Sequence, residues 1–171
     1  PAGRQIVMQL LDRADVLVHN FRPGVAERLG LGYEALHASH PRLIYASGSG
    51  FGPSGPLAHK GGQDFLAQSL SGLASRNPDA HGVAQLFPTA VGDFTSGMVL
   101  AQGILMALFQ RERTGLGQRI DVCLLDVLMT LQQQEVTQWL LRRKEVNWVR
   151  QNLIGIFPTR DGAVIGGPII R

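Results

Sequence analysis

The chain has 171 residues, and its 16 basic and 13 acidic side chains leave a net charge of +3, a small excess without a basic stripe that does not demand a nucleic-acid partner. With 44% hydrophobic and 17% charged residues it holds enough apolar material for a sizeable core, which excludes disorder as the dominant state. A single cysteine excludes an internal disulfide and a cysteine-based zinc site and points to a reducing, cytoplasmic setting, and no consecutive apolar run reaches the roughly 18 residues of a membrane span.

Ile6, Val7, Leu10 and Leu11 recur at helical spacing and predict a helix over residues 3–12. The chain opens directly into it, with no initiator Met and no signal-peptide layout, and so reads as a fragment. Residues 14–20 (ADVLVHN) form a short apolar run typical of a buried strand, broken by Phe21-Arg22-Pro23-Gly24. A helical turn over 25–29 closes at Gly30, and a short helix over 33–39 stops before Pro41. Residues 42–47 (RLIYAS) read as a second strand, so helix and strand alternate as they do around a mainly parallel sheet.

A long Gly/Pro/Ser loop follows over 48–62, of a length that usually signals function. The spacing predicts a helix over 64–73, a polar irregular stretch over 75–87, and the longest helix over 94–113. That helix takes Met98, Leu100, Ala101, Ile104, Leu105, Leu108 and Phe109 as its apolar set and stops at Gly115. A strand over 118–123, one long helix over 124–141 and a hairpin turning at Asp161-Gly162 complete the pattern. The expected fold is α/β: a Rossmann-like, open, mainly parallel sheet with flanking helices. Residues 1–141 are expected to form a partial nucleotide-binding large domain, and 142–171 a linker and the truncated start of a following region.

Several motifs compete for function. Gly50-Phe51-Gly52-Pro53-Ser54-Gly55 matches G-x-G-x-x-G after a strand, but Pro53 and Pro56 remove donors and prevent the helix that a dinucleotide site requires. A glycine-rich loop is the better reading. None of the five histidines stands at H-x-x-x-H spacing, so no metal site is expected. No G-x-S-x-G elbow is present, and Cys123 sits in an alternating apolar strand as a core thiol.

Asp93, in VGDFTSG at the start of the longest helix, reads in the first instance as an N-cap. The same position suits a nucleophile, because the dipole and free N–H groups of a helix start favour a carboxylate and Gly92 and Gly97 admit a large substrate. Backbone near 92–94 is a candidate oxyanion donor. Asp64 reads as a second helix-start carboxylate and Lys60 as a solvated cation. Asn20-Phe21-Arg22 follows a strand end, the edge where open α/β sheets bind ligands. There Phe21 can stack on a base and Arg22 or Arg28 can pair with phosphate, or the segment is a surface turn with a buried Phe.

Five segments in register resemble the family III CoA-transferases, the group of formyl-CoA transferase, the carnitine and bile-acid-inducible types and the 2-methylacyl-CoA racemases. They are ADVLVHNFRPGVAERLGLGYEAL, PRLIYASGSGFGPSGP, KGGQDFLAQSLSGL, VGDFTSGM and ERTGLGQRIDVCLLDVL. The resemblance implies that Asp93 is the catalytic aspartate, and that Asn20, Phe21, Arg22, Arg28 and Lys60 line the coenzyme A site. It also implies that Gln63, Asp64 and Gly92 stand at the active centre. The racemase branch carries a His base where this chain has Gln63, which cannot take a proton, so the departure favours a transferase. The implied reaction moves CoA between an acyl-CoA and a carboxylic acid through an aspartyl-CoA thioester. It needs no tightly bound cofactor, and acyl-CoA is the substrate. The alternatives are a 2-methylacyl-CoA racemase or epimerase, and a non-catalytic CoA-binding fragment. The family's interlocked assembly implies a homodimer; neither nucleic acid nor membrane is expected as a partner.

Overall fold

The computed structural model describes residues 2–146 and 155–166. The chain forms two compact units, Pro1–Leu131 and Gln132–Arg171. The first runs α1 (Ala2–Leu11), β1 (Val16–His19), α2 (Val25–Arg28), α3 (Tyr33–Ser39), β2 (Ile44–Ser49), α4 (Asp64–Leu70), a 3₁₀ turn (Leu73–Arg76), α5 (Val91–Thr114), β3 (Arg119–Cys123) and α6 (Leu124–Leu131). Its three strands lie in the order β1-β2-β3, all parallel, with Val16 opposite Ile44 and Tyr45 opposite Arg119. The α/β fold with a parallel sheet and flanking helices is the one the alternating pattern predicts.

Strand alternation sorts the side chains onto two faces. Leu17, His19, Tyr45, Ser47, Arg119 and Asp121 share one face by register, and Val18, Ala46, Ile120 and Val122 the other. On the first face Tyr45 joins Leu11, Leu36 and Leu43 in a core that Val7, Met8, Leu17, Leu31 and Tyr33 complete. A separate core gathers Ala67, Leu73, Leu124 and Leu128, with Phe87 and Val91 against it.

The central helix α5 packs on β2, β3, α4 and α6. It approaches the sheet through small residues: Ala107 is fully buried, and a Cβ on Gly103 would stand 3.0 Å from Ile120 Cγ2. This corrects the expected apolar face. Met98, Leu105 and Phe109 are exposed, and the buried positions are Gly92, Ala107 and Arg111. The Arg111 guanidinium spans the gap, donating to Asp15 Oδ1 at 2.8 Å and to the Arg42 carbonyl at 3.2 Å. The helix is long and apolar enough, by length and composition, to cross a membrane. Its packing makes it the centre of a layered α/β unit instead. As expected, it ends on Gly115 in the left-handed region (φ 76°).

The expected helix over 124–141 divides. The apolar stripe ends at Leu131, the Gln132-Gln133-Gln134 run offers nothing to continue it, and Gln132 leaves helical geometry at φ −100°, ψ 26°. The second unit contains α7 (Gln133–Arg142) and an antiparallel hairpin of β4 (Gly155–Thr159) and β5 (Gly162–Gly166). The hairpin turns at Arg160-Asp161, one residue earlier than expected, with Gly162 opening β5. The stretch read as irregular over 75–87 also holds order. The Asp79 Oδ1 accepts the N–H groups of His81 and Val83 at 2.9 Å each, and Pro78 bridges Ala84.

Candidate active site

The C-terminal ends of the parallel strands open onto a cavity of about 660 Å³. Five stretches of chain meet there: Asn20–Pro23 after β1, Gly48–Phe51 at the end of β2, Lys60–Gln63 before α4, the first turns of α5 with Asp93, Ser96 and Gly97, and Val122 and Leu124 where β3 passes into α6. Open α/β sheets bind ligands at this edge because loops diverge there and leave a crevice.

The long loop reaches the cavity through glycine. Gly50 and Gly62 cross in backbone contact, so that a Cβ on either would collide with the other. Gly52 and Gly55 hold φ of 83° and 93°, values that favour glycine. The glycines of the G-x-G-x-x-G match therefore close the loop rather than open a helix. Gly61 has a further role: the Arg22 guanidinium lies where its Cβ would be.

Asp93 is not the N-cap. The cap position belongs to Ala90, whose side chain cannot accept a hydrogen bond, and α5 begins at Val91. The missing cap is supplied by another helix. Asp64, 6% exposed in the first turn of α4, directs Oδ1 at the α5 backbone and accepts from Gly92 N at 2.6 Å and Asp93 N at 3.0 Å. Its Oδ2 accepts from Gln68 Nε2 at 2.6 Å, and Gln68 Oε1 accepts from Phe87 N at 2.9 Å. The buried pair thus fastens both ends of the segment leading into α5. Phe94 N donates to the Ala90 carbonyl at 3.0 Å. The N–H groups of 92–94 are all engaged, which removes them as the oxyanion donors expected from the sequence.

This arrangement leaves the Asp93 side chain for other work. Its carboxylate accepts no hydrogen bond among the described residues, and it is exposed beside the cavity. Gly92 is required beneath it, since a Cβ there would stand 2.8 Å from Asp64 Oδ1 and 3.1 Å from Leu128 Cδ1. Gly97 has the opposite surroundings: nothing lies within 4 Å of its Cβ position, which opens on the cavity.

The structure therefore brings Asn20, Phe21, Arg22, Lys60, Gln63 and Asp93 to one cavity. Asp64 and Gly92 lie behind its wall as supports of α5. Arg28 borders neither this cavity nor its neighbour; it closes α2, with Nη1 3.4 Å from a Cβ position on Gly24. Sequence reasoning missed Gln68, although its i+4 spacing from Asp64 on one helix carried the signal. It missed Gly61 and Ser96 as well, for which no sequence signal exists.

A smaller cavity of about 240 Å³ adjoins the first and shares Phe21, Arg22, Pro23 and Ser49 with it. Arg119 and Asp121 pair across it at 2.8 Å. Burial pushes the Tyr45 hydroxyl above its ordinary value, and the hydrogen bond to Asp121 does the same for Arg119. Among the described residues no group of three His, Cys, Asp or Glu side chains could hold a metal ion.

An open parallel sheet with a carboxylate presented at its ligand-binding edge defines a class of small-molecule-binding α/β proteins. Residues 1–168 match the model of CoA-transferase family III. The chain is 44% identical over 138 residues to the acetyl-CoA:oxalate CoA-transferase of Acetobacter aceti, covering 80% of this chain and 35% of that protein. It is 33% identical over 179 residues to the succinyl-CoA–D-citramalate CoA-transferase of Chloroflexus aurantiacus, covering 97% of this chain and 43% of that protein. The crystal structure of a CAIB/BAIF family protein from Brucella suis superposes with a TM-score of 0.84 at 32% identity, over 95% of this chain and 44% of that one. The chain belongs to CoA-transferase family III. It spans well under half the length of these relatives.

Proposed function

We propose that this chain carries the acyl-transfer centre of an enzyme that moves coenzyme A between an acyl-CoA and a carboxylic acid. The observation that carries the reading is the Asp93 carboxylate, unpaired among the described residues at the cavity while Asp64 satisfies the helix start behind it. A nucleophilic carboxylate must be oriented, reachable and not spent on its own helix.

An Asp93 oxygen attacks the thioester carbonyl. The C–S bond breaks, CoA leaves as its thiolate, and a mixed anhydride joins Asp93 to the acyl group. The thiolate then attacks Cγ of Asp93, expelling the donor carboxylate and leaving an aspartyl-CoA thioester. The acceptor carboxylate attacks this thioester, and the same steps in reverse give the new acyl-CoA and free Asp93. Electrons and atoms balance without a cofactor, because the chain itself supplies the nucleophile. Each tetrahedral oxyanion needs N–H donors. Gly61, Gly62 and Gln63 line the cavity, and their N–H groups, which donate to nothing among the described residues, are the candidates for that task.

The remaining wall suits CoA. Phe21 offers an aromatic face and Arg22 and Lys60 offer cations for phosphate. Gln63 supports transfer over racemisation, since an amide cannot shuttle the substrate α-proton. A cytoplasmic homodimer fits the rest. The Cys123 thiol suits a reducing compartment, and the exposed Phe65, Leu70, Leu105, Met106 and Phe109 of α4 and α5 suit burial against a second chain.

The test is a transfer assay on the intact protein with labelled acyl-CoA and a panel of carboxylic acids in deuterated water. Label appearing in a new acyl-CoA, without deuterium at the acyl α-carbon, is the expected result. Deuterium at that carbon without transfer would replace this reading with racemisation, and CoA retention with neither signal would reduce it to binding.

A further inference from the structure

The turn that brings Asn20, Phe21 and Arg22 to the cavity is fixed from behind by one histidine. His19, the last residue of β1, faces the smaller cavity. Its Nδ1 accepts the Phe21 N–H at 3.2 Å. That bond requires Nδ1 to be bare, so the neutral ring carries its proton on Nε2 and donates it to Tyr45 Oη at 2.8 Å. The imidazole also stacks on the Phe21 ring, with centroids 5.2 Å apart and planes 24° apart. Backbone and side chain of Phe21 are thus held by the same ring, which Tyr45 braces from β2.

We propose that His19 is a positioning residue: it holds the Asn20–Phe21–Arg22 turn in its ligand-receiving form and releases it when the ring takes up a second proton. The doubly protonated ring would set an Nδ1–H against the Phe21 N–H, donor against donor, and the turn would lose its anchor.

The groups around His19 determine when this happens. Glu27 from α2 and Asp121 from β3 favour the charged ring, Arg119 from β3 opposes it, and Tyr45 and Ser47 from β2 and Arg22 from the turn complete the surroundings. Burial outweighs the two carboxylates and lowers the value below the ordinary 6.5. The ring is therefore neutral at pH 7, and release falls below the ordinary 6.5.

The inference rests on CoA as the ligand of the first cavity, so its test reads the turn and the ligand separately, on the intact protein. Affinity for CoA is measured calorimetrically at pH 7.5 and 5.5, and backbone deuterium exchange is followed by mass spectrometry in a peptide covering residues 20–24. The parent is compared with His19→Asn, whose Oδ1 stands where Nδ1 does and cannot be switched by protons, and with His19→Gln, whose carbonyl lies one bond further out.

The parent is expected to lose CoA affinity on acidification about fivefold more steeply than His19→Asn, the scale of one hydrogen bond. Taking the difference between the two cancels titration of the CoA phosphates. Both variants lose the stack on Phe21 and the bond to Tyr45, so each is expected to bind CoA less tightly than the parent at pH 7.5, with His19→Gln about fivefold below His19→Asn and showing faster exchange over 20–24. Equal pH dependence in parent and His19→Asn, or an equal loss in both variants at pH 7.5, overturns the inference. Should a variant not fold, the parent decides alone: once corrected for intrinsic rates, exchange over 20–24 must quicken as the pH is lowered stepwise from 6.5 within the range where the protein stays folded, and unchanged protection overturns the proposal. A parent that binds no CoA at either pH refutes the ligand, while the exchange comparison still decides the role of His19.

Discussion

Asp64 is the residue on which the position of Asp93 depends, and replacing it has a cost that follows from the structure. Asp64→Ala strips acceptors from Gly92 N, Asp93 N and Gln68 Nε2 at once. Hydrogen bonds to a charged group contribute about 1.5–3 kcal/mol each, and losing a helix cap about 1, but bonds that share one carboxylate are not additive. A total near 3–4 kcal/mol is expected, set by the two backbone donors at a site that water reaches poorly. Asp64→Asn should cost less, about 1–2 kcal/mol, because its carbonyl can still cap α5 while its NH₂ meets the Gln68 amide donor to donor. Gly92→Ala reaches the same network from the other side and should cost about 1–3 kcal/mol through the forced shift of Asp64 and Leu128. Denaturant titration of the intact protein, followed by far-UV circular dichroism, should rank Asp64→Ala as the least stable, Asp64→Asn above it and the parent highest. Asp64→Ala within about 0.5 kcal/mol of the parent, the range of an ordinary surface substitution, would refute the cross-helix cap.

Gly97→Leu should fill open space over the cavity and weaken CoA binding at least tenfold in a calorimetric titration, whereas Gly97→Ala should bind nearly normally and stabilise α5 by about 0.5–1 kcal/mol. Arg111→Ala removes a buried guanidinium from Asp15 and the Arg42 carbonyl and should lower stability by about 2–3 kcal/mol in the same denaturant assay. Burial pushes the Cys123 thiol up to about 11, so native protein at pH 8 should resist iodoacetamide while unfolded protein reacts. Because that value is raised in the fold from an ordinary 9.0, its stabilising contribution is full below pH 9 and is lost as pH rises towards 11, and Cys123→Ala should flatten that alkaline limb of a stability–pH curve.

The sheet was legible because its strands are written as short apolar runs, as residues 14–20 and 42–47 are, although only β2 is buried as such a run suggests and Val18 of β1 is exposed. Helix ends marked by backbone chemistry were equally plain, Gly115 above all. What was hidden depends on distance along the chain. Nothing local shows that α5 borrows its cap from residue 64, so Asp93 was read as its own cap and the N–H groups of 92–94 as free. The buried face of α5 was misread for a related reason: glycine and alanine let the helix lie close to the sheet, and hydropathy counts large side chains rather than close approach. The cluster at the cavity was reachable from sequence only by way of family resemblance, since Asn20, Lys60 and Asp93 belong to three separate loops and helix starts.

The direct test of the central claim is the mass of the Asp93 peptide. Intact protein is incubated with acyl-CoA in the absence of an acceptor acid, quenched, digested and analysed, with Asp93→Asn treated in parallel. Asn keeps the shape of the side chain but is a far poorer nucleophile, so the variant should fold, bind CoA and lose turnover by several orders of magnitude, on the order of 10⁴-fold or more. The account predicts CoA joined through a thioester to the peptide containing Asp93 in the parent, released on adding a carboxylic acid, and absent from the variant. An unmodified Asp93 peptide in a protein that still transfers CoA, or a variant within about tenfold of the parent, would contradict it.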